Sequence, residues 1–172
     1  GQNGGHINIG GGNVKATGHY GGAGIGGGSG GNHSGSITIS GGHVRADSIS
    51  ETDSSGRIWG GAAGIGCGTG GKYSDQGILS SDFIMITGGV VEASGGTGGA
   101  GIGGGMYNVV CHGGVLSGPI TISGDAYVTA RGGINAPGIG FGLGLNKVSN
   151  YGTEGSTCRL KICGGTVKAY AG

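Results

Sequence analysis

Proline is nearly missing from this chain, with 2 residues in 172, and tryptophan occurs once. Collagen needs abundant proline and glycine at strict third positions, and neither condition holds here. Charged residues make up only 10% and aromatics 5%. Net charge is +1 and the charges are scattered, so there is no polyanion footprint of the nucleic-acid type. No apolar run reaches the roughly 18 residues of a membrane span, which argues against membrane insertion. No signal peptide opens the chain, and its start in mid-pattern at Gly1-Gln2-Asn3 reads as a processed or excised segment.

Glycine is what the chain has in excess, at 52 residues. Each glycine inside a helix costs about 1 kcal/mol relative to alanine, so helices are disfavoured. A flexible Gly/Ser linker would lack the regular Ile and Val pairs that run through the whole sequence. An all-β architecture with many turns is left.

Three short phrases recur in fixed order. Ile-x-Ile occurs at Ile7/Ile9, Ile37/Ile39, Ile84/Ile86, Ile120/Ile122 and, as Leu-x-Ile, at Leu160/Ile162. Val-x-Ala follows at Val14/Ala16, Val44/Ala46, Val91/Ala93, Val128/Ala130 and Val167/Ala169. From the second Ile to the Val is five residues in four of the five copies; the fourth has one more, near Asp125-Ala126, and reads as a bulge or longer turn. A glycine pair between the phrases, as at Gly41-Gly42, Gly88-Gly89 and Gly164-Gly165, suits a tight corner with positive φ. The third phrase, Ala-Gly-Ile-Gly-Gly-Gly, spans Ala23 to Gly28, Ala63 to Gly68 with Cys67 substituted, and Ala100 to Gly105, with a drifted copy from Pro137 to Gly142.

Alternation of apolar and other residues at period 2 marks each phrase as a strand with one buried face. The spacing between equivalent Ile positions varies over 30, 47, 36 and 40 residues while the phrases hold, so the variation falls in corner loops. The expectation is one all-β domain over 1–172: a parallel β-solenoid, right-handed, of four to five coils with about three short strands each. Its repeats run approximately over 6–36, 37–82, 83–119 and 120–159, with a partial copy at 160–172. Like strands then stack about 4.8 Å apart, and Ile, Val and Ala form inward columns. A left-handed hexapeptide helix lacks its six-residue period here. A propeller blade or sandwich would want more aromatic anchors, and packed glycine helices of polyproline type sit badly with Ile-x-Ile.

Ile37-Thr38-Ile39-Ser40-Gly41-Gly42-His43-Val44-Arg45-Ala46, followed by the Ala-Gly-Ile-Gly-Gly-Gly phrase, resembles the glycine-rich, pectin-lyase-like right-handed β-helix repeats of large bacterial cell-surface proteins. The resemblance covers about Gly5 to Gly172. It implies a surface, adhesin-like or carbohydrate-binding protein and assigns no functional residue.

Strand parity puts Asn8, Thr38, Met85, Thr121 and Lys161 outward on the first side, and Lys15, Arg45, Glu92, Thr129 and Lys168 outward on the second. Arg45 and Glu92 stand one coil apart as a potential pair. On the third side the same parity places only glycines outward: Gly24, Gly26, Gly64, Gly66, Gly101, Gly103, Gly138 and Gly140. Either that side is tight and forces glycine, or a side-chain-free column admits another solenoid, a loop or a flat polysaccharide. Inside it, the column Gly27, Cys67, Gly104, Phe141 makes Phe141 a core filler near one end and Cys67 buried.

No catalytic constellation emerges. Acid/base work on glycans needs paired carboxylates, and of the 8 acids only Glu92 falls on a strand by this reading. Asp47, Glu51 and Asp53 cluster in the second repeat's insertion, where weak Ca²⁺ binding is conceivable; no other cofactor and no metal site is indicated. The five histidines show no HxH or HExxH spacing. Cys67, Cys111, Cys158 and Cys163 lack CxxC spacing, and their even count fits disulfides in an oxidising compartment, with Cys158–Cys163 and Cys111–Cys158 as rival bridges.

The expected role is therefore non-catalytic, structural or adhesive, at the cell surface or outside the cell. The chain would be a stalk segment or a filament subunit that associates with itself through open β edges or the glycine face. A carbohydrate-binding module using Trp59, Tyr73 or Tyr107 is the alternative, and a β-helix polysaccharide-degrading enzyme the second.

Overall fold

A computed structural model describes residues 5–29, 35–52, 54–56, 58–69, 83–106, 118–142 and 159–172, with backbone only for Ile58 and Trp59. Among them the strands are β1 (Ile7–Ile9), β2 (Asn13–Gly18), β3 (Ile25–Gly26), β4 (Ser36–Ile39), β5 (His43–Ser48), β6 (Glu51–Thr52), β7 (Ile58–Trp59), β8 (Ile65–Gly66), β9 (Phe83–Ile86), β10 (Val90–Ser94), β11 (Ile102–Gly103), β12 (Ile120–Ile122), β13 (Tyr127–Arg131), β14 (Ile139–Gly140), β15 (Leu160–Ile162) and β16 (Thr166–Tyr170). The described residues include no helix, and so none long and apolar enough to cross a membrane.

Strands of like phrase stack into three parallel sheets. The first is ordered β1-β4-β9-β12-β15, the second β16-β13-β10-β5-β2, and the third β14-β11-β8-β3. Each coil therefore contributes one strand to each sheet, and the fifth contributes β15 and β16. Register follows the phrases: Ile37 pairs with Ile84 and Ile84 with Ile120, while Val44 pairs with Val91 and Val91 with Val128. The expected all-β parallel solenoid is the observed fold.

Burial explains why the alternation is so regular. Ile37, Ile39, Ile84, Ile86, Ile120 and Ile122 are fully enclosed, with Val44, Val91 and Val128 facing them across a narrow core. Burying each such side chain stabilises by about 1.5–3 kcal/mol. Corners between first and second strands turn on the second glycine of the pair: Gly42, Gly89 and Gly165 have φ of 90°, 84° and 79°. In the fourth coil the extra residue lengthens that turn at Gly124-Asp125 and tucks Ala126 into the core.

The third phrase folds back on itself. Ala23, Ala63 and Ala100 each donate their N–H to the carbonyl four residues later, at Gly27, Cys67 and Gly104. Only two residues per coil remain to pair in the third sheet, which makes that side short. In the second coil an antiparallel hairpin, β6 with β7, leaves the stack between β5 and β8.

Candidate functional site

The third side is not the open glycine surface that parity suggests. Gly64, Gly66, Gly101, Gly103 and Gly138 are buried, and Gly24, Gly26 and Gly140 partly so. A Cβ on Gly64 would lie 2.6 Å from the backbone N of Ser94, and one on Gly101 would lie 2.6 Å from that of Arg131. The second sheet's backbone already occupies the space, as it does beside Gly24 and Gly138. Gly26, Gly66, Gly103 and Gly140 have φ of 132–137°, and at Gly26 and Gly103 a Cβ would stand 2.0 Å from the next coil's carbonyl oxygen. Parity counting assumes ordinary strand dihedrals, and the positive φ of one glycine in each phrase breaks it. Here glycine is a packing requirement.

Phe141 likewise departs from expectation, being exposed at 37% rather than filling the core. It directly follows β14, the edge of the third sheet, so among the described residues no further strand of that sheet covers the ring. Cys67 is buried as expected. Cys163 carries a free, exposed thiol; Cys67 lies three coils away, about 14 Å at the usual strand spacing, beyond disulfide reach. Cys111, Cys158, Tyr73, Tyr107 and Asp53 lie outside the described residues.

Of the Asp47, Glu51 and Asp53 cluster, where the sequence makes only weak Ca²⁺ binding conceivable, the two described acids lie on strands and not in a loop. Asp47 sits on strand β5, where it accepts a hydrogen bond from Arg45 Nε at 2.8 Å. Glu51 lies on β6 and its Oε1 is 2.7 Å from His19 Nδ1. Its charge and hydrogen bond raise the Tyr20 phenol above the usual value of 10.0. The two acids thus serve different coils, and the described residues hold no group of three or more metal-ligating side chains. Arg45 also bonds along its own strand rather than across to Glu92, its register partner. The two-residue spacing puts Asp47 on the same face of the same strand as Arg45.

Charge that looks scattered in sequence collects on the outer face of the second sheet. Lys15, Arg45, Glu92, Thr129 and Lys168 form one row; Thr17, Asp47, Ser94, Arg131 and Tyr170 form the next. Arg45, Asp47, Glu92, Ser94, Thr129 and Arg131 surround a shallow depression of about 270 Å³. At the far end Arg131 Cζ lies 4.6 Å from the centre of the Tyr170 ring, and Lys168 Nζ lies 5.1 Å from that of Tyr127. Lys168 Nζ also donates to the Tyr127 hydroxyl, which raises the lysine pKa above its ordinary value. Asp47, through its hydrogen bond and then its charge, raises Arg45 in the same way, with Glu92 adding to it.

Tyr127 and Tyr170, which the outward rows read from the sequence leave out, both stand on this face. The signal was present: each flanks a Val-x-Ala phrase by one residue and so shares the parity of the outward Thr129 and Lys168.

No curated protein and no solved structure matches this chain. A family model described as beta helix repeat matches residues 7–29, 84–106 and 120–140. Each matched segment spans the three strands of a single coil: the first, the third and the fourth. Those repeat matches, with the all-parallel stacking of coils in register, make this chain a protein of the parallel β-helix type.

Proposed function

We propose that this chain is a non-catalytic structural module, a rod or stalk segment acting at the cell surface or outside the cell, whose end coils join further coils. One observation carries the reading. In the fifth coil Leu160 and Ile162 are 46% and 51% exposed, whereas Ile120 and Ile122, one coil back in the same columns, are 0% exposed. The last coil presents the same ladder and the same apolar columns that every interior coil buries against its neighbour. Unpaired edges of this kind recruit strands. Further coils, from a second copy or from the same protein, would continue those columns over Leu160, Ile162 and Val167.

Resemblance to surface repeat proteins supports the extracellular setting. The non-catalytic part rests on how the acids are engaged. Acid/base cleavage of a glycan uses a pair of carboxyl groups free to face the scissile bond, whereas Asp47 is held in a hydrogen bond by Arg45. Both carboxylates lining the depression stand beside Arg45.

Sedimentation over a concentration series and negative-stain imaging test the proposal. Assemblies that lengthen with concentration, and that are lost in Leu160→Lys and Ile162→Lys, are expected. A monomer at every concentration rejects self-assembly, and release of new reducing ends from polysaccharides rejects the non-catalytic assignment.

A further inference from the structure

The outer face of the second sheet has a composition unlike the rest of the molecule. Four of the chain's nine Lys and Arg residues, Lys15, Arg45, Arg131 and Lys168, project from it, against the two acids Asp47 and Glu92. The outward row of the first sheet, Asn8, Thr38, Met85, Thr121 and Lys161, has a single charge. Arg45 is committed to Asp47; of the remaining three, Arg131 and Lys168 have described partners that are aromatic, and Lys15 stands at the other end of the row. Between the second and fourth coils the floor is low, because Ser94 and Thr129 are short.

We propose that this face binds an extended, hydroxyl-rich polysaccharide carrying carboxylates, laid along the stack of coils. Arg131 and Lys168 meet the carboxylates. Arg131 rests on the Tyr170 ring and Lys168 is hydrogen-bonded to the Tyr127 hydroxyl, contacts that restrain both long side chains before binding and lower the ordering cost. The exposed parts of Tyr127 and Tyr170 offer apolar surface to sugar rings, and Thr129 supplies a hydroxyl. Asp47 and Glu92 decide between polyanions. Sugar hydroxyls donate hydrogen bonds to a carboxylate, so a sparsely charged glycan gains from them. A nucleic acid, with a phosphate on every nucleotide and few donors along its backbone, is repelled. Sheet geometry also suits a linear polymer, since the coils repeat about every 4.8 Å along a straight face.

This inference is independent of self-assembly: a monomer binds through this face as well as a fibre does. Affinity electrophoresis of the full chain through gels containing hyaluronan, dextran, dextran sulfate or duplex DNA tests it. The expected result is retardation by hyaluronan, weakened by salt, and at least tenfold weaker interaction with dextran and DNA. Arg131→Gln and Lys168→Gln each reduce hyaluronan binding tenfold or more, Tyr170→Leu several-fold, and Lys161→Gln on the other sheet leaves it unchanged. Circular dichroism identical to the parent confirms that these exposed substitutions leave the coils folded. No retardation by hyaluronan, tighter binding of dextran sulfate, equal binding of DNA or dextran, or indifference to Arg131→Gln and Lys168→Gln each overturns the proposal.

Discussion

The third coil and the fifth use nearly the same words and have different fates. Ile84 and Ile86 are 0% exposed, while Leu160 and Ile162, in the same two columns, stand about half in solvent. Their local sequences and strand conformations match; what differs is a coil above as well as below. Burial in a solenoid is a property of neighbours, so stability per repeat rises once a repeat is flanked on both sides.

The sharpest way to break that comparison uses glycine. Gly103 and Gly140 share an unusual φ, 132° and 137°, but a Cβ on Gly103 would strike the Gly140 carbonyl, whereas one on Gly140 meets only Pro137 Cγ at 3.6 Å. Gly103→Ala is expected to destabilise by about 4–5 kcal/mol, enough to unfold much of the stack. Gly140→Ala carries the dihedral strain alone, about 1–3 kcal/mol. Urea denaturation of the two variants separates clash from strain, and equal losses would show that the interior position is not special.

Aliphatic truncation comes next in size. Ile84→Ala removes a side chain packed on both sides and should cost about 2–5 kcal/mol. Ile162→Ala removes a half-exposed one, leaves no cavity, and should cost about 1 kcal/mol in a monomeric sample. If Ile162→Ala costs as much as Ile84→Ala, the fifth coil is covered in solution, and the same measurement in dilution series shows whether a second copy covers it.

The smallest effect concerns the corner between coils. Tyr20, 68% exposed, has its phenol raised by Glu51. A raised folded value means the neutral phenol is favoured, so its contribution is present at neutral pH and lost as pH climbs through the folded value. Ultraviolet phenolate absorbance should show one tyrosine titrating late in the parent and earlier in Glu51→Gln. An unchanged curve would show that Glu51 does not reach Tyr20.

Much of the stack was legible because period-2 alternation needs no tertiary knowledge. Ile37, Ile84 and Ile120 are register partners as the phrase spacing implied, and the lengthened turn at Gly124-Asp125 absorbs the one extra residue of the fourth copy. The third side was illegible for a definite reason. Parity anticipates neither the φ of 132–137° at Gly26, Gly66, Gly103 and Gly140 nor the close approach of the second sheet's backbone to Gly24, Gly64, Gly101 and Gly138. The charged face was half legible: the row Lys15, Arg45, Glu92, Thr129 and Lys168 followed from Val-x-Ala parity, but the next row, with Asp47, Arg131 and Tyr170, lies one residue outside the phrase, as Tyr127 does. Arg45 pairs with Asp47 and not with its register partner Glu92, a choice that strand parity alone does not rank.

The central claim is that successive coils lie directly on one another in register. Cysteine pairs on the outward row of the first sheet test it most directly, with cross-links mapped by mass spectrometry. Thr38→Cys with Met85→Cys, and Met85→Cys with Thr121→Cys, join register partners on adjacent strands and should oxidise readily. Thr38→Cys with Thr121→Cys spans two coils, about 10 Å, and should not close. Cross-linking of the two-coil pair, or failure of both adjacent pairs, would contradict the stack.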